Sequence, residues 1–164
     1  MPAPESNIAP EAKTAPWRPF TTVAIVTELD GRYLLVEERI DGALVLNQPA
    51  GHLEHGETLV AAARREAREE TGWDIEPTAL LGIFQFNRPR SVHSYLRFTF
   101  AASAHGPLNG ATLDPDIHAV HWLSYDDLCA ARPRHRSPMV QRSVDAARDG
   151  PRYPLDMLSF LTDS

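Results

Sequence analysis

Two Asp-Gly pairs, Asp30-Gly31 and Asp41-Gly42, constrain most strongly what this chain can fold into. Such a pair adopts the positive backbone angles of a two-residue hairpin turn, which dictates antiparallel strands on either side. The flanks agree. Phe20 to Glu28, rich in β-branched residues, leads into the first turn; Arg32 to Arg39 returns from it, and Ala43 to Leu46 follows the second. The expectation is a chain that opens as an antiparallel β-meander. Beyond it, Thr58 to Thr71 is rich in Ala, Arg and Glu, contains no Gly or Pro, and stops at Gly72. That pattern predicts a helix with Thr58 as N-cap and glycine at C′, its apolar face carried by Val60, Ala63 and Ala67. Further strands are expected over Ala79 to Phe86, Val92 to Ala102 and Ala119 to Leu123. A short helix is expected over Ser124 to Ala131. A last helix starts at the Ser137-Pro138 cap and stops at Gly150.

Composition removes several classes. A chain of 164 residues fits one domain. Residues Met1 to Pro16 contain four prolines among small and polar residues, so we expect residues 1–17 to be a tail and 18–164 the domain. The single cysteine, Cys129, excludes an internal disulfide and paired-cysteine zinc modules. The basic residues are fifteen arginines and one lysine, Lys13. A Walker A loop and a Schiff-base enzyme each need a lysine in the domain, and neither can be built here. A net charge of −6 opposes non-specific binding to nucleic acid or anionic membrane. No apolar run reaches the roughly 18 residues of a membrane span, and no secretory signal is legible, so the expected location is cytoplasmic.

The chemistry is concentrated between Gly51 and Trp73. Glu66, Glu69 and Glu70 stand at i, i+3 and i+4, which places three carboxylates on one helical face, where like charges repel. A solvated acidic face is the bland reading. The alternative is that a hard divalent cation with oxygen ligands offsets the repulsion, magnesium above all when phosphates complete the shell. Spacing decides between them. Gly51, Glu57, Arg65, Glu66, Ala67, Glu69, Glu70, Gly72 and Trp73 occupy, without a gap, the positions of the Nudix box, for which a chance match is on the order of 10⁻⁶ over the chain. The chain therefore resembles the Nudix family. Ala67 is smaller and Trp73 bulkier than the usual residues there. Asn47 to Glu54, and Arg136 through Gly150 to Met157, further resemble the NudJ-type phosphatase branch.

The resemblance implies an α/β (α+β) fold, the Nudix α/β/α sandwich with a mixed β-sheet between helices. It implies Mg2+, with Mn2+ as substitute, held by Glu66, Glu69, Glu70 and the carbonyl of Ala50, with Glu66 also a candidate general base. Glu57 and Arg65 become the ion pair that supports the loop. Asp116 is the candidate for a further metal carboxylate from a distant loop, against an ordinary loop aspartate. Asn47, Gln48 and His52 border the metal loop and are candidates to hydrogen-bond a base or pyrimidine, against simple turn chemistry. Arg39, Tyr95 and Arg97 are candidates on strands, arginine suiting phosphate, and the cluster Arg132, Arg134, His135 and Arg136 is a candidate for a terminal phosphate. The pairs His52/His55 and His118/His121 lack further zinc ligands and are expected to be loop and strand residues. Ser137 is expected to cap a helix, and Cys129 to lie in the core.

The expected activity is magnesium-dependent hydrolysis of phosphoanhydrides in a small phosphorylated metabolite by a monomer or homodimer. The branch implies nucleoside tri- and diphosphates and thiamine-pathway pyrophosphates, hydroxymethylpyrimidine pyrophosphate and thiamine pyrophosphate, with release of phosphate. A MutT-like nucleotide-pool sanitiser and an ADP-ribose pyrophosphatase are the alternatives within the class. A Nudix-fold module that senses a nucleotide without turnover is the alternative outside it.

Overall fold

The computed structural model describes residues 17–162, so the expected tail falls almost wholly outside the described residues. Its elements in chain order are β1 (Phe20–Leu29), β2 (Arg32–Ile40), β3 (Ala43–Asn47), β4 (Ala50–His52), α1 (Leu59–Thr71), β5 (Trp73–Asn87), β6 (Ser94–Pro107), β7 (Ile117–Ser124), α2 (Tyr125–Ala130) and α3 (Met139–Asp149). Asp30 and Asp41 take φ of 50° and 49°, and Gly31 and Gly42 follow at 74° and 82°, so both hairpin turns form as the dipeptides require.

The meander persists only near those turns. β1 and β2 pair at Glu28 with Tyr33 and Leu29 with Arg32, then part. β1 instead pairs antiparallel with β4 and parallel with β6 from Phe20 to Thr27, while β2 lies between β3 and β7. The reason lies in burial: β1 is buried on both faces from Thr22 to Thr27, so it takes a central position with a partner on each side. The mixed seven-stranded sheet follows the path β3-β2-β1-β6-β5, with β4 added to β1 and β7 to β2. It splits into two wings that splay from the first hairpin.

Helices cover both faces, as the expected sandwich demands. Ala62, Ala63 and Ala67 of α1 pack on Val23, Ile25, Leu34, Ile75, Leu80 and Phe100. On the other face Leu128 of α2 and Val140, Val144 and Ala146 of α3 pack on Val26, Leu35, Ala79, Leu81 and Ala101. Alanines on α1 let the helix lie close to the strands. Among the described residues no helix is long and apolar enough to cross a membrane.

Helix boundaries follow the caps. Thr58 Oγ1 accepts from the Ala61 amide at 3.0 Å and Ser124 Oγ from Asp127 at 3.1 Å; at α3 the N-cap is instead Pro138, with no side-chain cap, and Ser137 Oγ one residue earlier accepts from the Met139 amide at 3.3 Å. Strand ends differ more. β5 begins at Trp73 rather than Ala79, because an edge strand tolerates Pro77 at the irregularity between Pro77 and Ala79. β6 runs on to Pro107 as its partner.

Gly72 ends α1 in the left-handed region at φ 68° and donates to Arg68 O. Gly72→Ala adds a left-handed penalty of about 1–2 kcal/mol, and its Cβ would meet Ala111 Cβ at 3.2 Å. Calorimetry should show a melting temperature lower by about 2–8 °C; an unchanged value overturns this reading of the cap.

His135 ties the segment after α2 to the fold: its Nε2–H donates to Leu128 O at 3.1 Å, and its Nδ1 is buried without a partner. Burial lowers its pKa from the ordinary 6.5, with Arg132 adding to the shift. The unfolded chain therefore binds a proton near that pH that the folded chain refuses. Stability is full above about pH 6.5 and falls as the pH drops through that value toward the folded pKa. Urea unfolding between about pH 7.5 and 5.5 should show this loss, flattened in His135→Gln. Equal pH slopes in the two proteins count against it.

Candidate active site

The site is built around one arginine. Arg65, on α1, makes a bidentate pair with Glu57, Nη2 to Oε1 at 2.7 Å and Nε to Oε2 at 3.1 Å. The same guanidinium donates to Glu66 Oε1 at 2.8 Å, to Glu69 Oε2 at 3.3 Å and to the His52 carbonyl at 3.1 Å. Glu57 in turn accepts from the Glu54 amide at 2.8 Å. One cation thus joins β4, the loop after it and the helix, and holds the Glu57 carboxyl below its usual range.

Beneath this clamp the acids are buried. Glu70 is 8 % exposed and accepts from the Ala50 amide at 2.9 Å. Burial, then the nearby charges of Glu38, Glu66 and Asp114, raises its carboxyl to about 9 against the pull of that amide. Glu66 is raised by burial as well, with Arg65 opposing. Gly51 is required here: a Cβ at this position would overlap the Glu66 carboxylate. Glycine lets the carboxylate lie directly against the backbone of β4.

Asp114 joins the group because the loop before β7 is pinned across the end of α1. The Leu108 amide donates to Gly72 O at 2.7 Å and the Asp114 amide to Glu69 O at 2.8 Å. Carboxylates therefore outnumber cations around Arg65. An all-oxygen, carboxylate-rich set of this kind suits a hard divalent cation. Among the described residues no group of three or more His, Cys, Asp or Glu side chains is arranged so that it could hold a metal ion as it stands.

These acids line a cleft of about 1240 Å³ that lies where the two wings of the sheet part. The same cleft is also lined by Arg88, Arg97, Arg132, Arg136 and Arg142. Its supports are ion pairs of Arg136 with Glu38 and of Arg134 with Glu37. Asn47 Nδ2 donates to Glu38 Oε1 at 3.1 Å, and its Oδ1 accepts from Arg97 Nη1 at 3.4 Å. Arg97 is 6 % exposed; desolvation, with Arg136 adding, lowers its pKa to about 10. Phe20 meets His52, His93 and Tyr95 at ring separations of 5.4 to 5.6 Å, and of these four rings His52 and Tyr95 line the cleft.

The structure brings together Glu57, Arg65, Glu66, Glu69, Glu70 and Ala50, and it adds Asn47, His52, Tyr95 and Arg97 to the same cleft. Three candidates lie elsewhere. Gln48 is fully buried and donates to Val140 O at 2.7 Å, which anchors the turn before β4 to α3. Arg39 reaches back to Gly42 O across its own hairpin. Asp116 is exposed, and its amide caps Asp114 Oδ1 at 2.9 Å; Asp114 is the loop carboxylate that faces the cleft. Of the basic cluster, Arg132, His135 and Arg136 reach the cleft and Arg134 does not. His118 and His121 lie on β7 with Nε2 3.8 and 3.7 Å from Glu37. Cys129 is half-buried instead of core, and its sulfur accepts from Gln141.

The class so defined is an α+β sandwich with a helix-borne glutamate cradle closed by a glycine strand. Residues 17–143 match the NUDIX domain family, and the chain belongs to the Nudix family. Phosphatase NudJ of Escherichia coli K12 is 40% identical over 142 residues, which cover 87% of this chain and 92% of that protein. A NUDIX hydrolase structure from Nitrosomonas europaea superposes with a TM-score of 0.85 at 42% identity, covering 88% of this chain and 98% of that one. An ADP-ribose pyrophosphatase from Streptococcus suis has a TM-score of 0.62 at 18% identity, covering 82% of this chain and 96% of that one, and shares the fold.

Removing the clamp should cost stability as well as activity. Arg65→Ala leaves Glu57 unpaired and is expected to destabilise by about 1–3 kcal/mol. In a double-mutant cycle with Glu57→Ala by urea unfolding, the two losses should fall short of additivity by more than about 0.5 kcal/mol. Strict additivity would show that the pair does not hold loop to helix.

Proposed function

We propose that this protein is a magnesium-dependent hydrolase that cleaves the phosphoanhydride of a small phosphorylated metabolite and releases orthophosphate. The observation that carries the reading is the glutamate cradle of α1 pressed against Gly51 in a cleft that is also lined by arginines. Homology to a protein described as a phosphatase supports the product. The substrates we favour are nucleoside tri- and diphosphates and the thiamine-pathway pyrophosphates, hydroxymethylpyrimidine pyrophosphate and thiamine pyrophosphate.

Glu66, Glu69, Glu70 and the Ala50 carbonyl are the groups that would hold magnesium, or manganese in its place. When bound, the cation offsets charge on the phosphoryl oxygens and makes water a better nucleophile. The side chains supply the rest. Arg65 Nη1 occupies Glu66 Oε1, which leaves Oε2 to accept a proton from the attacking water. Arg65 keeps that carboxylate from turning away by holding Glu57 and the His52 carbonyl at the same time. The arginines of the cleft that no carboxylate occupies bind phosphoryl oxygens and orient the chain of phosphates for attack.

Phosphate release with and without magnesium, with products identified, tests the reading. Orthophosphate from a nucleoside diphosphate, dependent on magnesium, is expected. Pyrophosphate, or two monophosphates from ADP-ribose, would transfer the protein to the alternative classes. Ligand binding with no product would make it a sensing module. Glu70→Gln should lower kcat by about 100-fold or more, the scale of losing a preorganised electrostatic group, while the melting temperature stays within a few degrees. Wild-type rates in that variant would remove Glu70 from the cation site.

A further inference from the structure

Among the described residues Arg97 is a buried cation of the cleft that no ion pair ties down, although the charges of Glu38 and Glu70 act on it. Arg65 is committed to Glu57, Glu66 and Glu69, and Arg136 to Glu38. Among the described residues no carboxylate lies within ion-pair distance of Arg97. Its one hydrogen bond is the long 3.4 Å contact to Asn47, and its Nε is buried with no partner. A guanidinium taken out of water in this way is unfavourable unless an anion arrives to satisfy it.

The strand register tells where that anion would lie relative to the rest of a ligand. On β6, Arg97 lies opposite Thr22 of β1, and Tyr95 lies opposite Phe20. Residues two apart share a face, so Tyr95 and Phe20 stand one repeat, about 7 Å, from the Arg97 level. Tyr95 is half-buried where Arg97 is 6% exposed, and both line the cleft, so this step runs outward along it. His52, opposite Thr22 on β4, brings its ring edge-on to Phe20. A charged end and a planar end are thereby separated by the span of a short phosphate chain.

We propose that Arg97 is the inner end of a cleft entered phosphate-first: its guanidinium binds the terminal phosphoryl group, and the ring of a heterocyclic substrate rests on His52 and Tyr95, which Phe20 backs. The inference deepens the hydrolase reading and takes its substrate from it. It explains why the terminal group would be the one removed: only the last of a chain of phosphates reaches that inner end.

Two non-cleavable probes separate the ends of the cleft, methylenediphosphonate and α,β-methylene ADP, titrated calorimetrically into the full chain with magnesium. Arg97→Gln should weaken both at least 10-fold, and Arg97→Lys should recover part of the loss. Tyr95→Leu should weaken the nucleotide analogue alone. Arg32→Gln, which removes the same charge at the start of β2, should change neither. In wild-type protein the 15N–1H signal of Arg97 Nε should shift saturably with methylenediphosphonate, a readout that needs no variant to fold. Unchanged affinity in folded Arg97→Gln, or an unmoved Nε signal at saturation, overturns the proposal. Binding through Arg97 without orthophosphate release would overturn the hydrolase reading and leave this one standing. Turnover with Arg97→Gln binding like wild type would do the reverse.

Discussion

Carboxylates that must be kept out of water yet close together set the terms for this structure. Glu66 and Glu70 face β4 in a low-dielectric pocket, where burial raises both. Three features make the arrangement tolerable, and each belongs to the backbone or to one arginine. Gly51 gives up its Cβ so that Glu66 can lie on the strand. The Ala50 amide satisfies one oxygen of Glu70. Arg65 holds Glu57, Glu66 and Glu69 together. The alanines of α1 serve the same end, since a helix face of Ala62, Ala63 and Ala67 lets its glutamates approach β4 closely.

The cleft itself exists because β1 and β2 separate after their shared hairpin. Once β1 has taken β4 and β6 as neighbours, β2 carries β3 and β7 away in a second wing. A gap between wings would collapse unless both sides were held. The acid side is held by Arg65. The basic side is held by Glu37 with Arg134 and Glu38 with Arg136, where strand acids grip the segment that leads into α3. Those two pairs neutralise arginines that would otherwise compete for an anion, and they leave Arg97 as the buried one still lacking a carboxylate.

Local signals were legible in the sequence, and long-range ones were not. The hairpin turns, the Thr58 and Gly72 caps of α1 and the Gly51-to-Trp73 spacing each depend on residues within a few turns of one another, so their chemistry can be read directly. The parallel pairing of β1 with β6 joins Phe20 to Tyr95, and nothing near either residue announces the other. β4, at three residues, is too short to show a period of two. The same limit governs the site. Arg65 and the glutamates are recognisable because the helix spaces them. Gln48 and Arg39 resemble cleft residues until their partners, Val140 O and Gly42 O, are seen. Asp114 lines the cleft where Asp116 does not, because the loop is registered by the Asp114 amide on Glu69 O, a contact no composition encodes. Arg134 and Arg136 read as a free basic cluster, whereas their anions sit on β2, far earlier in the chain.

This geometry also reconciles a net charge of −6 with an anionic ligand. Exposed charges more than about 8 Å from a ligand are largely screened at physiological ionic strength, so the overall balance governs long-range encounter with polyanionic surfaces and little else. Inside the cleft the relevant charges are few and poorly hydrated, and interactions there strengthen as the effective dielectric falls. Under the proposed function, a phosphate chain that reaches Arg97 would leave the negative field of the surface and meet a guanidinium that no ion pair occupies, while a divalent cation would offset the acids of α1 that oppose its approach.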